Sequence, residues 1–198
     1  MLSRLVLALL LLTPGRVGRL MGQTAIDSLG RRITPDGVVR ASALVDSVFV
    51  DRVLPRAIVD GGDFTAYLMA RLGVRSLPSD FGYRVTVDSA LIHIGGRISD
   101  LPREARMALS QLVLVLPPET RLEALVELLP AGREAVRFHL RTATIAGVPV
   151  PEAFLTPVLS DIGRQYPALT TTGRDLYVQI PAGAKMKLIE GAVEIAGP

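Results

Sequence analysis

The stretch TRLEALVELLPAGREAVRFHLRTATI, residues 120–145, decides the fold class. Leu122, Ala124, Val126 and Leu128 alternate with Arg121, Glu123 and Glu127. Beyond the turn residues PAGR, Val136, Phe138, Leu140, Thr142 and Thr144 alternate with Arg137, His139 and Arg141. A period of two sends successive side chains to opposite faces of a strand. Two such runs across a Pro/Gly turn predict a long antiparallel hairpin. One face is aliphatic, and on the other Arg and Glu can pair across the strands.

Downstream, TIAGVPVPEAFLTPVL (144–159) ends the hairpin at Gly147 and holds the connection extended with Pro149 and Pro151. A helix follows to about Tyr166, with Phe154, Leu155, Val158, Leu159 and Ile162 at helical spacing. Pro157 either lies in the first turn of a helix capped by Thr156 or kinks one begun at Pro151. DLYVQIP and MKLIEGAVEIAG then supply two terminal strands.

Upstream, the valine-rich residues 38–53 read as a strand or a bent strand pair. Gly61-Gly62 reads as a turn, with Asp63 capping a short helix closed by Gly73. YRVTVDSALIHIGGRI reads as one strand. Residues 99–116 predict a helix capped by Ser99 or Asp100 and stopped by Pro117-Pro118, its apolar face including Leu112. The expected fold is α+β: a curved antiparallel β-sheet with two or three helices packed on one face.

The amino terminus, MLSRLVLALLLLTPG, places Arg4 before an apolar run and then a Pro-Gly breaker. That is the layout of a secretory signal over residues 1–25, with Gly22 or Ala25 as cleavage positions. The alternative is an uncleaved, shallow anchor. Residues 26–37 read as a linker and 38–198 as a single α+β domain, exported to the periplasm or cell envelope. Arg4, Arg16 and Arg19 all lie before residue 26 with no acidic residue among them, so removing that segment cancels the formal charge of +3. A neutral remainder lacks the charge that dominates nucleic-acid binding, which argues against a nucleic-acid partner.

Catalytic patterns are absent. There is no cysteine, so disulfides, thiolate chemistry and a lipidated cysteine are excluded. His93 and His139 are far apart in sequence and have no nucleophile in a recognisable pattern, so neither catalysis nor a zinc site is expected. VDGGDF lacks the regular ligand positions of a calcium loop and reads as a helix start. Arg121, Arg133, Arg137 and Arg141 form either a solvated face paired with Glu123 and Glu127 or an anion and headgroup contact. No cofactor or metal is expected.

What stands out is aliphatic surface: 49% hydrophobic residues but only 5% aromatic, with a mean hydropathy of +0.39. Smooth aliphatic walls suit acyl chains. The words IAGVPVP, with strand-rich sequence before them and a helix and two strands after, resemble the exported tubular lipid-binding proteins. The nearest are the LmeA-like phospholipid-binding envelope proteins and, more loosely, AsmA-type relatives. The resemblance covers residues 38–195 as a pattern of elements. It implies a curved sheet wrapped on a helix, an aliphatic groove for lipid tails, and no catalytic constellation.

The expectation is therefore a non-enzymatic envelope protein that binds or shuttles lipid, in contact with acyl chains or a membrane surface. Leu112, Leu122, Val126, Val136, Phe138, Leu140, Phe154, Leu155 and Val158 would line its groove. The rival expectation is an assembly module whose same helix faces meet an envelope partner protein.

Overall fold

A computed structural model describes residues 30–71, 77, 81–101, 116–165 and 169–198. The expected signal segment, most of the expected 99–116 helix and Leu112 lie outside them. The hairpin forms as anticipated from β5 (Arg121–Pro130) and β6 (Ala135–Ile145). Its register shifts between Leu125, opposite Thr142, and Val126, opposite Leu140, which leaves Arg141 as an extra residue in β6. Such a bulge reverses the phase of the strand. Thr142 and Thr144 therefore leave the apolar face where the alternation had put them, and Ala143 and Ile145 take their place opposite Ala124 and Leu122.

The remaining elements are β1 (Arg31–Arg32), α1 (Pro35–Phe49), β2 (Arg56–Asp60), α2 (Gly61–Arg71), β3 (Arg84–Val87), β4 (Leu91–Arg97), β7 (Val148–Pro149), α3 (Glu152–Gln165), β8 (Leu169–Thr172), β9 (Asp175–Gln179), β10 (Lys185–Ile189) and β11 (Ala192–Ala196). All described pairings are antiparallel. The large sheet runs β1-β3-β4-β5-β6-β9-β8, with β7 folded back on β6. A second sheet, which the sequence did not announce, runs β10-β11-β2. The fold is α+β, built on antiparallel sheet with three α-helices among the described residues.

Residues 38–53, read above as strand, are mostly helix α1, and the presumed linker contains β1 and the start of that helix. Thr34 caps α1, its hydroxyl accepting the Gly37 N–H at 3.2 Å, and Pro35 and Asp36 occupy the first turn. The buried positions Gly37, Ala41, Val45 and Val48 recur at helical spacing. Tertiary burial of that stripe outweighs the strand preference of valine. Thr34→Ala should lower stability by about 1 kcal/mol through loss of this cap, measured by urea denaturation.

The expected turn at Gly61-Gly62 is instead the first turn of α2, and the capping carboxylate is Asp60 rather than Asp63. Asp60 Oδ1 accepts the N–H of Gly62 at 2.9 Å and of Asp63 at 3.4 Å. Asp63 itself is turned toward α1, receiving the Arg40 guanidinium at 2.8 and 2.6 Å. Glycines allow this crossing: a Cβ on Gly37 would lie 2.7 Å from Asp63 Oδ1, and one on Gly62 would collide with the Arg32 carbonyl oxygen.

The single strand expected over residues 83–98 is two, β3 and β4. Asp88 Oδ1 accepts the N–H groups of Ala90 and Leu91, both at 2.7 Å, and so turns the chain between them. Likewise MKLIEGAVEIAG folds into the β10–β11 hairpin about Gly191, whose φ is +72°. Pro157 lies inside α3, so of the two placements the helix begins before it.

One apolar cluster links both sheets. Val45 and Val48 of α1, Phe64 of α2, Val59, Val193 and Ile195 of the small sheet, and Val85, Val87, Ile92, Val136 and Phe138 of the large sheet meet in it.

Candidate functional site

The residues expected to line a lipid groove fall into separate environments. Val136 and Phe138 belong to the closed core, with Val126 half-buried against it. Leu140 is buried, while Leu122 and Leu155 are half-buried. Phe154 on α3 is 52% exposed. Leu112 and the side chain of Val158 lie outside the described residues. The hairpin's inward face thus feeds the core, and none of the described side chains of this set lines the apolar hollow between α1, α2 and the end of β9.

That hollow, of about 750 Å³, opens beside the same core. Helix α1 supplies Val45 and Phe49, one turn apart, with Asp46 and Val50 a step around the helix. Helix α2 supplies Leu68, together with Tyr67 and Arg71 one turn apart. The end of β9 and the chain beyond it close the third side with Val178, Ile180 and Met186. The Ile180 N–H donates to the Glu134 carbonyl at 2.9 Å, which ties this wall to the hairpin turn. The lining is mostly apolar, with Asp46, Tyr67, Arg71, Thr170, Tyr177 and Gln179 as polar groups among it. Burial pushes the Tyr67 phenol above its ordinary pKa; Arg71 opposes that shift and Asp46 adds to it. The phenol stays protonated near neutral pH and can donate a hydrogen bond. Arg71, in the last turn of α2, complements the negative end of that helix.

Reading residues 38–53 as helix would have put Val45 and Phe49 on one face. The third wall comes from the opposite end of the chain, beyond the reach of local periodicity.

The polar face of the large sheet carries ion pairs and histidine–carboxylate contacts. His139 Nδ1 is 2.7 Å from Asp175 Oδ1, and Arg137 is 3.6 Å from the other oxygen of that carboxylate. Arg141 reaches Glu127 at 4.0 Å. His93 lies 3.4 Å from Asp88. Burial pulls the Asp88 carboxyl upward, but the amides of Ala90 and Leu91, with His93, outweigh it and hold the group below its usual pKa. Among the described residues no group of three or more His, Asp or Glu gathers as metal ligands.

A second hollow, of about 380 Å³, is polar, and two of its arginines are already engaged. Arg84 donates to the Gly30 carbonyl at 3.0 Å, and Arg97 pairs with Glu119 at 3.0 Å.

No protein-family model, curated protein or solved structure matches the chain. Among the described residues, no helix is long and apolar enough to cross a membrane.

Proposed function

We propose that this chain is an exported cell-envelope protein that binds lipid, non-enzymatically, by holding an acyl chain in the hollow between α1, α2 and the end of β9. The observation that carries the reading is the mostly apolar lining of that hollow, in which Val45, Val50, Leu68, Val178, Ile180 and Met186 stand beside the aromatic Phe49, Tyr67 and Tyr177. Its volume falls within the range usual for small-ligand sites, roughly 300–1,000 Å³. Each methylene withdrawn from water contributes about 0.8 kcal/mol, so a partly enclosed tail of modest length would be retained. Arg71 and the Tyr67 hydroxyl offer a cation and a donor to a carboxylate or phosphate headgroup. Two sequence features support the reading: the secretory layout of residues 1–25, and the resemblance of residues 145–151 and the surrounding pattern to tubular lipid-binding proteins. The groove proposed here lies on a different wall from the one the hairpin pattern suggested.

Native mass spectrometry of the protein purified from its own membranes should find lipid bound; a chain that emerges bare counts against the proposal. Val50 is 69% exposed, so a change there has little to disturb in the core. Val50→Asp should weaken binding of a fluorescent fatty acid by at least about tenfold, the loss expected when about two methylenes forfeit their contact. Unchanged affinity in a folded variant would place the ligand elsewhere.

A further inference from the structure

β2 is the outermost strand of the small sheet, since no described strand pairs on its far side. Its pairing with β11 is flanked by two backbone bonds, Gly197 N–H to the Pro55 carbonyl and Gly61 N–H to the Gly191 carbonyl, each 3.0 Å. In an antiparallel ladder, hydrogen-bonded pairs recur at every second residue. With Ala57 opposite Ile195 and Val59 opposite Val193, those two residues spend their backbone groups on β11. Arg56 and Ile58 therefore direct theirs to the open edge, as does the Asp60 N–H, while the Asp60 carbonyl accepts the first intrahelical bond of α2, which begins at Gly61. The same three residues share the outer face of the sheet, while Ala57 and Val59 are buried beneath.

Ile58 is 62% exposed, and Val53, just before the strand, is 70% exposed. An apolar open edge is a template for another strand.

The sequence of this edge is complementary to itself. Antiparallel pairing about Ile58 sets Ile58 against its own copy and places Arg56 of each chain, which reaches its own Glu194 at 3.7 Å, opposite Asp60 of the other. The hydrogen-bonded pairs of that register draw on the outward backbone groups of Arg56 and Ile58 and on the Asp60 N–H. Charge and hydrogen-bond phase thus agree on one two-fold arrangement, as an isologous contact requires. Arg31, 3.3 Å from Asp60, would add a second cation to each charged pair. We propose that two copies of the chain associate through β2, joining their small sheets into one continuous sheet across a two-fold axis at Ile58. This dimer is independent of the apolar hollow.

The test uses the full chain. Sedimentation from about 1 µM to about 1 mM should show the mass doubling; a monomer throughout overturns the proposal. Ile58→Pro deletes only an outward N–H at an edge strand, a change that edge strands tolerate. It should abolish the dimer while circular dichroism stays unchanged, and a folded Ile58→Pro variant that still dimerises refutes the arrangement. Because the chain has no cysteine, cross-linking gives a second readout that does not depend on the proline variant folding. Hydrogen-bonded antiparallel pairs hold their Cα atoms about 5.5 Å apart, within disulfide reach. Ile58→Cys should oxidise to a covalent dimer at least about tenfold faster than Val39→Cys, whose position on α1 is 71% exposed. Equal rates would mean collision rather than docking, and would overturn it.

Discussion

Phe64→Ala is expected to remove about 3–5 kcal/mol of stability, the usual loss when a buried phenylalanine is truncated. Phe64 is 1% exposed and heads the largest fully buried side chains of the core. It projects from α2 into the cluster where both helices and both sheets meet, so the void has walls on every side and little freedom to collapse. A domain's whole stability is only about 5–15 kcal/mol. For a chain of this size each kcal/mol shifts the melting temperature by about 2–4 °C, so calorimetry should record a fall of about 6–20 °C. The urea m-value should stay constant, because the surface exposed on unfolding hardly changes. A loss below about 1 kcal/mol would mean that the two sheets do not share one core.

Gly62→Ala should destabilise the protein, against the sign that helix propensity predicts. Gly62 lies in the first turn of α2. In an unobstructed helix interior, alanine is favoured over glycine by about 1 kcal/mol. Here the added methyl would collide with the Arg32 carbonyl oxygen and lie 3.1 Å from the Arg31 Cβ, so β1 or α2 must give way. Overpacking of this kind costs about 1–3 kcal/mol and removes or reverses the propensity gain. Backbone oxygen is a poor neighbour to displace, because β1 is held in register with β3 at Arg31 and Arg32. The midpoint of urea denaturation reads the sign directly. A stabilised variant would show β1 to be loosely docked and the glycine to be incidental.

The hairpin was legible because two clean alternations flank a Pro/Gly turn, a signal contained within residues 120–145. Helix α1 was not, since its valines argue for strand while their helical spacing argues for helix, and burial on α2 and the small sheet settles the conflict. The bulge at Arg141 left no trace in composition, yet it moved Thr142 and Thr144 to the other face. Alternation identified Val136, Phe138 and Leu140 as inward. It said nothing of what covers them, and the cover turned out to include core packing rather than the hollow beside α1 and α2. That hollow needs α1, α2 and the segment around Ile180 together, and no local pattern connects positions so far apart.

The pairing of residues 56–60 with residues 192–196 sets an order of events during biosynthesis. Strand β2 emerges from the ribosome well before β11, its only described partner in the sheet. Contacts between such distant segments form late and slow the approach to the native state. Until β11 is made, β2 and the helices packed on it lack that strand beside them, so this part of the core closes only after the two distant segments meet.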